Sequence, residues 1–250
     1  MITDPVFYAL AVPAVVLLGL SKGGFSGVGA VSMPLLALII SPVQAAAILL
    51  PILILQDLVG VWAFRKVWDR RIILITLPAA TLGILLGYLL AAQVSVNVVL
   101  GLLGALSILF ALQRFWVERR GAITAPGGAN PIVGAAFGVA SGFTSQIAHA
   151  GGPPFSMWVL PQGLSPAALA GTTAVFFAAV NWIKVPAYIA LNQFTPTNLM
   201  TAAALAPVAI LSTMAGVWLV RRVPAEPFYR LVYALMILTG AQLVWRAFAA

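Results

Sequence analysis

A few ionisable residues fall inside apolar runs of this chain, and their types could do chemistry there. Lys22 stands in GLSKGGFSG (19–27), Asp57 in LILQDLVG (53–60) and His149 in IAHAGGPP (147–154). Lys184 stands in AAVNWIKV (178–185), one helical turn after Asn181. A charge deep in hydrocarbon costs about 2.5–3.5 kcal/mol on insertion scales, so such a residue marks function when it lies deep. Asp57 can pair with Lys22, pair with Lys184, or carry a coupling proton, and the sequence leaves all three open. His149 is either a hydrogen-bonded structural group or a proton carrier near neutral pH. Lys22 either enters a site or snorkels to an interface.

Two glycine-rich breaks surround these residues, SKGGFSGVG (21–29) and FTSQIAHAGGPP (143–154). A helix that starts inside a membrane turns unsatisfied N–H groups and the positive end of its dipole toward its N-terminal side. Glycines let a ligand approach that backbone closely. The chemistry that suits is anion binding, and two such ends converging would suit it better. The binding candidates are Lys22, Gly23, Gly24, Phe25, Ser26 and Gly29 in the first break. In the second they are Ser145, Gln146, His149, Gly151 and Gly152, with Thr144 as a further donor. Thr172, Thr173 and Asn181 follow in the next segment, and Thr172 and Asn181 join the candidate set. Asp57, His149 and Lys184 are the charge-pairing or coupling candidates. The plainer alternative is that the glycines let helices pack closely and that Asn181 ties helices together by hydrogen bonds.

The elements that must position these groups are membrane helices. Of 250 residues, 62% are hydrophobic and 7% charged, with a mean hydropathy of +1.09; soluble domains carry roughly 25% charged residues. The net charge of +8 does not indicate a nucleic-acid partner, because nine of the thirteen Lys and Arg fall in three inter-helical stretches, 64–71, 114–131 and 220–226. The absence of Cys excludes disulfides and thiolate metal sites, and a single His makes a histidine metal centre a poor fit. No cofactor is expected, and no Walker motif is present. The N-terminal MITDPVFYAL has neither a basic region nor a small-residue cleavage site, so no removable signal is expected.

Apolar runs separated by breakers predict ten helical segments, near 5–20, 27–40, 43–64, 72–92, 95–112, 132–147, 153–162, 166–190, 197–220 and 227–248. The third, fourth, eighth, ninth and tenth reach the roughly 20 residues of a span, and the fifth nearly does. The second and seventh are too short to cross and read as re-entrant hairpins. Pro51, Pro78, Pro186 and Pro207 fall within spans and should kink them. Trp62, Trp68, Trp116, Trp218 and Trp245 lie near span ends, as interfacial anchors do.

The chain also repeats itself. Gly29-Ala30 aligns with Gly151-Gly152, Ser41-Pro42 with Ser165-Pro166, Asp57 with Asn181, Leu77-Pro78 with Ala206-Pro207, and Gly87 with Gly216. FRKVWDRR (64–71) is basic where its counterpart ALNQFTPT (190–197) is not, and VRRVPAE (220–226) is basic where AAQVS (91–95) is not. Under the positive-inside rule, the two copies are inverted. The expected organisation is a first repeat at 1–113, a cytoplasmic linker at 114–131 and a second repeat at 132–250. Each repeat is a broken hairpin followed by three transmembrane helices, in one all-α polytopic membrane domain. Both termini are then outside, which leaves Arg246 on the less favoured side. Inverted repeats with broken helices are a transporter architecture, with substrate at the midplane.

At GLSKGGFSGVGAVSMPLLALIISP (19–42), GFTSQIAHAGGPPFSMWVLPQGLSP (142–166) and ALAGTTAVFFAAVNWIKVPAYIALNQFT (168–195), the chain resembles the sulfite exporter TauE/SafE family of bacterial permeases. The resemblance implies an inner-membrane carrier of small sulfur-containing anions such as sulfite, thiosulfate or sulfonates. Gly23, Gly24, Gly29, Gly151, Gly152 and Pro153 are the positions it marks. The first copy reads Ala30-Val31 where the second reads Gly152-Pro153, so the glycine motif is complete only in the second. The expected function is secondary transport by alternating access, with an anion channel as the alternative. A membrane-embedded lipid-phosphate enzyme is less favoured, because it needs converging acids, bases or nucleophiles. The expected partners are the anion, the bilayer and a coupling proton or none; a homodimer stays open, and nucleic acid is excluded.

Overall fold

Five helices begin the same way, with a short polar side chain followed by proline, the fifth at Thr195-Pro196, where Thr195 accepts from the Asn198 N–H at 3.2 Å. Asp4 accepts from the Val6 N–H at 2.9 Å and starts α1 (Pro5–Lys22). Ser41 accepts from Gln44 N–H at 3.2 Å and starts α3 (Pro42–Phe64). Asn130 and Ser165 repeat the device at α6 (Pro131–Ala148) and α8 (Pro166–Ala190). The cap satisfies a donor the first turn would leave open, and proline at N1 gives up none that the helix needs.

The computed structural model describes residues 1–25, 28–90, 93, 95–120, 130–219 and 226–249. Its other helices are α2 (Ser32–Ala37), entered through a 3-10 turn at Val28–Val31, α4 (Arg70–Leu90), α5 (Val96–Arg120), α7 (Gly152–Val159), α9 (Pro196–Leu219) and α10 (Glu226–Ala249). Among the described residues, seven helices are long and apolar enough to cross a membrane: α1, α3, α4, α5, α6, α8 and α9. The protein is an all-α, multi-pass membrane protein.

The two short segments stay short, at 6 residues for α2 and 8 for α7. Three boundaries differ from the sequence reading. α1 continues through Ser21 and Lys22, because a lysine favours the negative end of the helix dipole and only Gly23 ends the run. α6 ends at Ala148, one residue past the expected segment, so Thr144, Ser145 and Gln146, where that segment and the second break overlap, are helical. Both helices thereby reach 18 residues. α5 runs on through Arg114–Arg120, into the stretch expected to be linker.

The most extensive packing partnerships have counterparts in the other half. α1 lies on α9 as α6 lies on α4, α3 touches α9 as α8 touches α4, and the pairs α3–α8 and α5–α10 each join like to like. Glycines set the closest crossings, where nothing larger fits. A Cβ at Gly142 would lie 2.0 Å from the Ala80 carbonyl oxygen, and one at Gly23 would lie 2.5 Å from the Gly216 backbone. α3 occupies the centre, with Ala45–Leu50 buried without interruption. Leu82, Leu85, Leu86 and Leu89 share one exposed face of α4, at the spacing of a lipid-facing stripe. Pro51, Pro78, Pro186 and Pro207 all sit inside helices. Arg246, expected on an unfavoured side, donates to the Leu38 carbonyl oxygen at 2.8 Å, at the C-cap of α2.

Candidate functional site

The last turn of α1 carries Ser21 and Lys22 to the first break. Gly23 N–H returns to the Gly19 carbonyl at 2.9 Å, and the chain then turns through Gly24 at φ 130°, a region closed to other residues. Lys22 Nζ lies 2.5 Å from Asp57 Oδ1, and Asp57 sits near the middle of α3 with a side chain 2% exposed. Asn181 on α8 donates from Nδ2 to Asp57 Oδ2 at 2.6 Å. Of the partners the sequence left open for Asp57, Lys22 is the one within bonding distance. Lys22 also stands 5.1 Å from the centre of the Phe177 ring, whose face favours a cation.

A second lysine lies across from it. α6 ends with His149 in the left-handed conformation, at φ 50°, and its N–H returns to the Ser145 carbonyl. That turn brings His149 Nδ1 to 2.7 Å from Lys184 Nζ on α8. Lys184 Nζ also reaches Ser145 Oγ at 3.1 Å and the Ser145 carbonyl oxygen at 3.2 Å, and it is fully buried. His149 Nε2 lies 2.8 Å from the Ala46 carbonyl oxygen of α3. Tyr188 stacks beside the His149 ring and donates its hydroxyl to the Gln146 carbonyl.

Between the two groups is a cavity of about 80 Å³. Its wall draws on both breaks: Lys22, Gly29 and Ala30 from one, His149, Gly152 and Pro153 from the other. α8 adds Thr173, Phe177 and Asn181, and α6 adds Ser145. Of the sequence candidates, Lys22, Gly29, Ser145, His149, Gly152 and Asn181 therefore share one wall. Asp57 and Lys184 stand directly behind it, bonded to lining residues.

Other candidates are placed elsewhere. Gly23 packs on Gly216, and a Cβ on Gly151 would lie 2.7 Å from the Ser141 carbonyl oxygen, so both serve close packing. Gly24 makes the turn, Phe25 is buried in an apolar cluster, and Gln146 is buried on α6. Thr144 hydrogen-bonds the Ala140 and Ala150 carbonyls. Thr172 accepts from the Asp69 N–H at 2.8 Å and secures the turn into α4. Ser26 lies outside the described residues.

Three cavity hydroxyls went unselected in the sequence: Ser21, Ser156 and Thr173. Their signal was helical spacing. Thr173, Phe177 and Asn181 recur every fourth residue along α8, and Ser156 lies four after Gly152 on α7. One further asymmetry matters. Gly60 follows Asp57 by three residues, as Lys184 follows Asn181. A Cβ at Gly60 would lie 3.3 Å from the Lys22 carbonyl oxygen, while Lys184 reaches the Ser145 carbonyl oxygen.

The model of the family described as sulfite exporter TauE/SafE matches residues 11–243, nearly the whole chain. The chain belongs to that family. No curated protein and no solved structure matches it. As a TauE/SafE protein it is a membrane protein of a transporter family, and the matched residues include both breaks, both lysines and Asp57. Of the positions that the resemblance marked in this TauE/SafE chain, Gly29, Gly152 and Pro153 face the cavity. Gly23, Gly24 and Gly151 shape the backbone around it.

Proposed function

We propose that this protein is a secondary transporter of a small sulfur-containing anion, such as sulfite, thiosulfate or an organosulfonate. The anion binds near the midplane between the two broken segments and passes by alternating access. The two halves act as inverted repeats, with the basic loop at 64–71 on the cytoplasmic side and both termini outside. One observation carries the reading: a cavity of about 80 Å³, walled by both breaks, is lined by the Lys22 ammonium group. Room of that size holds a few water-sized groups and suits a compact oxyanion better than a lipid phosphate. Asp57 has both oxygens engaged, by Lys22 and Asn181, which argues against a catalytic base.

The test is flux of sulfite, thiosulfate and methanesulfonate into proteoliposomes made with the purified protein. Saturable uptake, abolished by Lys22→Met, is the expected result. Flux that never saturates would point to a pore, and uptake unaffected by Lys22→Met would remove the site from the pathway.

A further inference from the structure

We propose that this cavity selects its ligand by charge count, taking a singly charged oxyanion in preference to a doubly charged one. The inference rests on the anion-site reading above and narrows its substrate class to sulfonates and hydrogensulfite. Each ionisable group in the cluster has partners that specify its protons. Asp57 receives a donor on each oxygen, from Lys22 and Asn181, and is therefore a carboxylate. Lys22 opposite it is an ammonium, and the two charges cancel.

The second pair leaves a charge over. His149 Nε2 faces the Ala46 carbonyl, which can only accept, so Nε2 carries a proton. Across the 2.7 Å between Lys184 Nζ and His149 Nδ1 there is room for one proton. The ammonium donating to a neutral ring and the imidazolium donating to a neutral amine both make the pair singly positive, whereas a neutral amine donating to a neutral ring leaves it uncharged, and the count of acceptors around the amine decides between them. Three acceptors around Lys184 Nζ, namely Ser145 Oγ, the Ser145 carbonyl and His149 Nδ1, match the three N–H bonds of an ammonium. Tyr188 donates its proton to Gln146 and stays neutral. Among the described residues, no other Asp, Glu, Lys or Arg lines the cavity.

The cluster thus holds one positive charge in surroundings that penalise any net charge. A monoanion cancels it. A dianion would leave the site negative and unpaired. What remains on the wall is neutral: among the described residues, the Ser21, Ser156 and Thr173 hydroxyls line the cavity with no side-chain hydrogen bond to the protein. They suit the oxygens of a tetrahedral head group and add no charge.

Dimethyl sulfone, methanesulfonate and sulfate have nearly the same shape and carry zero, one and two negative charges. Calorimetric titration of each into the purified full-length protein, at neutral pH and constant ionic strength, reads the charge preference directly. Methanesulfonate is expected to bind at least about tenfold tighter than sulfate, with dimethyl sulfone weakest. Asp57→Asn, which adds one positive charge, should shift the preference toward sulfate. Asn181→Asp, which removes one, should weaken methanesulfonate by about tenfold or more. Sulfate binding as tightly as methanesulfonate to the unaltered protein would overturn the charge count and leave the anion site standing, as would equal binding of dimethyl sulfone. Failure of both anions to bind would instead overturn the anion site itself. The comparison on unaltered protein does not depend on any variant folding.

Discussion

Replacing Lys184 by methionine separates the charge of the site from the stability of the fold. Ser145 Oγ stands 3.1 Å from Lys184 Nζ, at the cavity wall. An anion hydrogen-bonded to that wall lies about 3 Å further on, so the two charges are about 6 Å apart. At an effective dielectric constant near 20, that pair contributes about 3 kcal/mol, or about a hundredfold in affinity. The fold should lose much less. The Ser145 carbonyl keeps the His149 N–H at 3.1 Å; His149 Nδ1 and Ser145 Oγ lose their donor, and because Ser145 lines the cavity the cost falls mainly on the ring nitrogen, about 1–3 kcal/mol. Exchanging a buried charge for an apolar side chain of similar length offsets much of that. The expected result for Lys184→Met is methanesulfonate affinity down by about two orders of magnitude with unfolding free energy within about 2 kcal/mol of the parent. Calorimetric titration and thermal unfolding in the same detergent measure both. A folded variant that binds within about threefold of the parent would refute the placement of Lys184 in the field of the site.

Adjacent threonines should behave differently. Thr173→Val removes a cavity hydroxyl and should weaken binding by about two- to tenfold with no change in melting, whereas Thr172→Val should leave binding intact and cost about 1 kcal/mol, because the Asp69 N–H loses its acceptor. Two glycines form a similar contrast. Gly142→Ala drives a methyl group into the Ala80 carbonyl and should destabilise by about 1–3 kcal/mol in thermal unfolding. A Cβ at Gly152 meets nothing within 4 Å, so Gly152→Ala should fold normally and reduce the longest alkyl sulfonate that competes for binding.

The frame was legible where side chains act locally. The apolar segments expected to begin at 5, 43, 132 and 166 start within one residue of helices α1, α3, α6 and α8, where Asp4-Pro5, Ser41-Pro42, Asn130-Pro131 and Ser165-Pro166 each combine a cap acceptor with a preset φ. The breaks were harder to delimit. Polar residues in an apolar chain look like loop, yet Ser21, Lys22, Thr144, Ser145 and Gln146 satisfy their backbone within helices and only the following glycine or left-handed histidine ends them. Finer still is the choice between Thr172 and Thr173. One residue turns a side chain by about 100° around a helix, and which direction meets the cavity depends on α3 and α6, not on α8 alone. The partner of Asp57 was illegible for the same reason. Lys22 lies 35 residues away and Lys184 far beyond it, and only the folded arrangement distinguishes them.

The bare backbone at Gly60 makes the molecule its own control experiment. The carbonyls of Lys22 and Ser145 are met differently: a Cβ at Gly60 would lie 3.3 Å from the first and 3.6 Å from the Ala174 methyl group, while the Lys184 nitrogen reaches the second. An anion between them is met by a partly exposed ammonium on the α1 side and by a wholly enclosed one on the α8 side. One flank can therefore touch its cargo, while the other can only attract it from a distance.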